Sequence, residues 1–102
     1  MDYSAWINSY KHSELYRDKV LMAMKLLLDY KRSLFNTRNL TKRAEYTNRS
    51  SFSADLRHAM GRMEEMGLVS VYEKRTHGYM YKREVSLDEL SRIVKQFEGL
   101  TK

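Results

Sequence analysis

A chain of 102 residues, 42% apolar and 31% charged, carries enough apolar material for one small core and too much for a disordered segment. No apolar run approaches the roughly 20 residues of a membrane-spanning helix, and with no cysteine there are no disulfides, thiolate metal sites or cysteine nucleophiles. The net charge of +6 and pI near 9.6 favour an anionic partner, and the excess is local, since residues 37–83 hold ten Lys/Arg against five Asp/Glu.

The opening "MDYSAWINSY" lacks the basic-then-apolar order of a secretion signal, which together with the missing cysteine fits a cytoplasmic chain. Tyr3, Trp6, Ile7 and Tyr10 at helical spacing predict a short helix or docking arm within residues 1–12. A longer helix is expected from about Ser13 to Leu34. Leu15, Val20, Ala23, Met24, Leu27, Leu28 and Leu34 recur there at three- and four-residue intervals, and "LFNTRN" ends it with turn-favouring Asn36 and Asn39. "NLTKRAEY" reads as a short helix with Leu40, Ala44 and Tyr46 on its apolar side.

Next comes a helix from about Ser51 to Met66, with Gly67 suited to a left-handed cap. Phe52, Leu56, Ala59, Met60, Met63 and Met66 form its core stripe. Opposite lie Ser50, Ala54, Arg57 and Gly61, flanked by Ser53 and His58, whereas Glu64 and Glu65 stand at the far end. A merely solvated face would carry long Glu and Lys side chains. Small side chains instead give clearance for close approach to another surface. "LVSVYEKR", "THG" and "YMYKREVS" then read as a β-hairpin, with Tyr79 and Tyr81 on one strand face. Ser86 and Glu89 have capping-box spacing at the head of a last helix, which carries Leu90, Ile93, Val94, Phe97 and Leu100 on one side.

This order, with "NLTKRAEY" and "SADLRHAMGRMEEMGLVSV" as consecutive helices and "YEKRTHGYMYKREV" as a hairpin, resembles the winged helix-turn-helix superfamily over residues 13–85. Small regulators of the MarR, ArsR and PadR types end their recognition helix with a Leu-x-x-x-Gly-Leu-Val-like pattern. Here Met63 takes the leucine position and Gly67, Leu68 and Val69 match. One feature departs from compact motifs. Ala44 is followed after four residues by Asn48 rather than glycine, and Leu56 falls late, implying a longer turn or an earlier start to the second helix. The expected fold is mainly α with a small hairpin (α+β): one winged helix domain spanning 1–102, with a terminal helix or arm over 1–12 and another helix over 86–102.

The resemblance implies a cytoplasmic, nucleoid-associated dimer that binds double-stranded DNA and regulates transcription. Its 50–62 helix would enter the major groove, where Ser and Thr bond base edges or phosphates and Arg pairs with guanine. The hairpin over 72–83 would contact the backbone or minor groove. Candidate contacts are Arg38, Lys42 and Arg43 on the first helix; Thr47, Asn48, Arg49, Ser50, Ser51, Ser53, Ala54, Arg57 and His58 around the second; and Lys74, Arg75, His77 and Lys82 on the hairpin. Trp6, Ile7, Tyr10, Ile93, Phe97 and Leu100 are candidates either for a dimer contact or for completing the core of one chain.

Two other functions and a plainer reading of each element remain open. A partition or architectural protein that spreads along DNA would use the same residues. A protein-interaction module would seat a partner helix on the small face. For the helix alone, a serine-rich start is also a good N-cap, and Gly61 also suits close helix packing. The hairpin equally suits a solvated edge protected by charge. His12, His58 and His77 lie on separate elements without metal-ligand spacing, and no catalytic motif or cofactor loop is present, so neither enzyme chemistry nor a cofactor or metal is expected.

Overall fold

The computed structural model describes residues 3–12, 14–43, 49–76 and 78–100, with the side chains at 14, 15, 43 and 49–53 outside that description. Helix α1 (Ser4–Asn8) leads into α2 (Glu14–Tyr30), strand β1 (Leu34–Phe35), helices α3 (Thr37–Arg43) and α4 (Arg49–Glu65), strands β2 (Val69–Arg75) and β3 (Gly78–Arg83), and helix α5 (Leu87–Gly99). The chain is therefore α+β, with helices packed on a three-stranded antiparallel sheet of order β1-β3-β2.

Helix α2 is the central stave. Val20, Ala23, Met24 and Leu27 are at most 1% exposed, and α3, α4 and α5 all pack on it. It ends earlier than its apolar spacing predicts. Lys31 takes a left-handed backbone (φ 68), which a side chain opposes by about 1–2 kcal/mol. The Arg83 guanidinium donates to the Lys31 and Val85 carbonyls and braces this bend against the far end of β3. Beyond it the chain is extended, so Leu34, expected in the helix core, is 40% exposed while Phe35 is fully buried. In β1 these two residues pair with Lys82 and Tyr81, and alternation sends them to opposite faces.

Asn36 and Asn39 do not close α2; they open α3. The Asn36 side chain accepts from the Asn39 N–H at 2.8 Å, and the Asn39 side chain accepts from the Asn36 N–H at 2.9 Å. This is a capping box in which asparagine takes the place of glutamate. Helix α4 starts at Arg49, two residues before the expected Ser51, and residues 44–48 ahead of it lie outside the description. Its stripe behaves as expected, with Leu56, Ala59, Met60 and Met63 fully buried and Met66 half-buried. The expected core residues Leu15, Ala44, Tyr46 and Phe52 lie outside the described side chains.

Gly67 (φ 75) ends α4 in a Schellman arrangement, its N–H donating to Glu64 O at 3.0 Å and that of Leu68 to Met63 O at 3.0 Å. The chain then enters β2 with Leu68 and Val69 buried. The hairpin is continuous from Val69↔Arg83 to Arg75↔Gly78 except for a bulge between Val71 and Glu73, where Tyr72 is left 61% exposed. Tyr81 stacks on Phe35 (5.6 Å, 21°) and ties the hairpin to β1.

Ser86 caps α5 through its hydroxyl, which accepts from the Glu89 N–H at 3.1 Å, and Asp88 and Glu89 suit the positive end of the helix dipole. Leu90, Ile93, Val94 and Phe97 are buried. Phe97 meets Trp6 (5.4 Å) and Tyr10 (5.6 Å), and those two rings meet each other edge-on at 5.6 Å. Ile7, Tyr10, Ile93 and Phe97 are thus interior residues of one chain, with Trp6 and Leu100 half-buried beside them. Four of the six residues considered for a dimer contact are packed within the chain, and Trp6 and Leu100 keep part of their surface exposed.

Candidate nucleic-acid interface

Helix α4 has its core side fixed by Leu56, Met60 and Met63, and this decides what faces out. Ala54, Arg57 and Gly61 are exposed along one side, and beyond the adjoining residues and the helix's own backbone no atom of the described residues lies within 4 Å of where a Cβ on Gly61 would sit. Gly61 therefore does not mark close packing against any described residue. The first turn, Arg49 to Ser53, is helical, and its side chains fall outside the description, as do Thr47, Asn48 and His77 altogether.

Asp55, an acid within the first turns, is turned aside. It pairs with Lys19 of α2 at 3.0 Å, both side chains about a quarter exposed. That contact anchors α4 to α2 and neutralises a charge that would repel an anion at this end of the helix. His58 does not stand on the outward face. It is half-buried, its ring 4.9 Å from Tyr16 of α2 at 32°, and its Nε2 is buried without a hydrogen-bond partner among the described residues. The wheel places His58 at the edge of the face, and the aromatic neighbour draws it off.

The hairpin contributes unequally. Lys74 lies opposite Tyr79 in the ladder, so both project to the same side of the sheet. Tyr79 meets Tyr81 at 6.1 Å, and Tyr81 faces the core. Burial pushes the Tyr81 phenol above its ordinary pKa of 10.0; Glu64 and Tyr79 add to the rise and Arg57 opposes it. Helix α4 packs against β2, and Lys74 and Tyr79 share the side of the hairpin that carries the buried Tyr81.

Lys82 belongs elsewhere. It alternates with Tyr81 and shares the outer sheet face with its cross-strand partners Leu34 and Ser70. It is exposed but separated by the sheet from Lys74. Arg75 is exposed too, yet its Nε and Nη2 both donate to one Glu73 carboxylate oxygen, at 3.2 and 3.1 Å. It thus forms an exposed ion pair within its own strand.

Arg38 and Lys42 are exposed on α3; the side chain of Arg43 lies outside the description. The fold brings Arg38 to the hairpin, a proximity no local spacing reveals. Asn36, Thr37 and Arg38 line one wall of a cleft of about 380 Å³, and Arg75, Thr76, Gly78, Tyr79 and Met80 line the other. Thr76 and Tyr79 are groups the spacing did not single out as contacts; alternation alone placed Tyr79 beside Tyr81. Among the described residues no group of three or more His, Asp or Glu could hold a metal, and no helix is long and apolar enough to cross a membrane.

The described surface therefore joins a helix face of small residues around one arginine to a hairpin carrying Lys74 and a cleft edged by Arg38. Comparison of the chain with known protein families, curated proteins and solved structures found no match.

Proposed function

We propose that this chain is a winged helix that binds double-stranded DNA, with α4 in the major groove and the β2–β3 hairpin beside it on the backbone. The observation that carries the reading is the exposed row Ala54, Arg57 and Gly61, which reaches an acid only at Glu64, on a helix packed against the hairpin strand that carries exposed Lys74. Small side chains let the helix axis approach base edges, and the single long one, Arg57, is the type that pairs with guanine O6 and N7. Arg38 and Lys42 on α3 and Lys74 on the hairpin carry exposed positive charge on the elements next to α4 in the chain, suited to phosphates beside a groove.

The order α2, α3, α4, hairpin, with β1 fastening β3 beside the start of α3, supports the same reading. So does the concentration of basic residues between positions 37 and 83. The proposed contacts are Arg38, Lys42, Ala54, Arg57 and Lys74, together with the first turn of α4; His58 and Lys82 are not among them. A transcriptional regulator and a spreading partition or architectural protein would use these residues alike. Selection of bound duplexes from a random pool tests the reading. Enrichment of a short motif containing guanine is the expected result, and recovery of a pool no different from the input would contradict sequence-specific binding. Protection of a single short site then marks a regulator, and continuous coverage a spreading protein.

A further inference from the structure

A second cleft, of about 350 Å³, lies between α1, the start of α2 and the last turn of α4, and it shares no residue with the DNA surface proposed above. Trp6, Ser9, Tyr10, Tyr16, Arg62 and Glu65 line it. That volume lies within the range of small-molecule sites, which combine apolar or aromatic walls with a few convergent polar groups.

The walls are set by the core. Trp6 is held edge-on by Tyr10 and Phe97, so its ring plane is fixed, and Tyr16, 45% exposed, is positioned by His58 beneath it. Tyr10 is only 7% exposed. Its phenol is pushed above the ordinary 10.0 by burial, and Trp6, Arg62 and Glu65 all act on it, so a neutral hydroxyl sits beside one cation and one anion.

Arg62 and Glu65 are each other's partners only loosely. Nη1 and Oε2 are 3.5 Å apart, long for a charge-assisted bond, and the two side chains are 47% and 66% exposed. A ligand that offers a carboxylate to Arg62 and an ammonium to Glu65 replaces one long bond by two short ones. A ligand with only one of those charges leaves the other residue facing it with like sign or unanswered.

We propose that this cleft binds an aromatic α-amino acid, with the ring against Trp6 and Tyr16, the carboxylate on Arg62 and the ammonium on Glu65. Ring-on-ring contact and an ammonium near an indole face both favour this orientation. Trp6 is the chain's only tryptophan, so its fluorescence reports directly on the site.

The test is a titration of the full chain with L-phenylalanine, which does not share the indole excitation, alongside phenylacetate and phenethylamine, each lacking one charge. A saturable change in Trp6 emission with L-phenylalanine is expected. Binding should be at least about tenfold weaker for either analogue, and for Arg62→Ala or Glu65→Gln, as follows from losing one charged hydrogen bond. Both replaced side chains are largely exposed, and unchanged circular dichroism confirms the fold of each variant. The absence of a saturable response to L-phenylalanine overturns the proposal. Phenylacetate or phenethylamine binding as tightly as L-phenylalanine, or variants binding like the parent chain, also overturns it.

Discussion

Two regions of this molecule looked alike as candidate interfaces: the aromatic and apolar residues of α1 and α5, and the small basic face of α4 with the hairpin. The fold treats them in opposite ways. Tyr10, Ile93 and Phe97 are buried against one another, whereas Ala54, Arg57, Gly61 and Lys74 stay exposed. Large apolar side chains find cover within their own chain whenever a partner helix is near, because burial is favourable wherever it occurs. Small and cationic side chains gain little from such cover. What stays outside is thus informative in proportion to how little the fold itself needs it.

The sharpest way to separate the two regions is to cut each one. Phe97→Ala removes the ring on which Trp6 and Tyr10 lean and should cost about 3–5 kcal/mol of stability, read as a large drop in thermal midpoint. Arg57→Ala should leave stability within about 0.5 kcal/mol. It should reduce discrimination between selected and random duplexes by about 1–3 kcal/mol, seen in competition binding. If Arg57→Ala destabilised the chain as much as Phe97→Ala does, the division into a structural and a reading region would fail.

How much of this contrast was legible in the sequence depends on what each residue's signal measured. The α4 stripe of Leu56, Met60 and Met63, the Gly67 exit and the Ser86 cap were all readable, because helical period and capping chemistry are local. The end of α2 was not. Leu34 continues the three-four spacing of Leu27 and Leu28, but the left-handed turn at Lys31 rests on carbonyl contacts from Arg83, 52 positions away. Asn36 and Asn39 read locally as turn and cap residues, and only the reciprocal bonds between them show that they open α3 rather than end α2. The outward face was only half legible. The wheel gave Arg57 and Ala54, and it could not show that Tyr16 takes His58 or that the sheet separates Lys82 from Lys74.

Smaller effects test the supporting geometry. Lys31→Gly should stabilise the chain by about 0.5–1 kcal/mol, because glycine takes the left-handed backbone without the side-chain penalty. Denaturant unfolding measures this, and a loss of stability would mean that the bend is not strained. Alkali should act on the core side. Burial raises the phenols of Tyr3, Tyr10 and Tyr81 above 10.0. The stability these groups contribute is therefore fully present below pH ~10 and is lost as pH climbs through their folded-state values. Tyr81→Phe should flatten that loss, measured as unfolding midpoint against pH, and an unchanged profile would remove Tyr81 from the account.

The central claim, that the exposed face of α4 and its flanking cations meet double-stranded DNA, is tested most directly by duplex affinity measured across a range of salt concentrations. With Arg38, Lys42 and Lys74 on phosphates, log affinity should fall linearly with log salt at a slope of about −3 or steeper, and Lys74→Ala should reduce that slope by roughly one. No detectable duplex binding even at low salt, or binding whose strength does not change with salt, would contradict it.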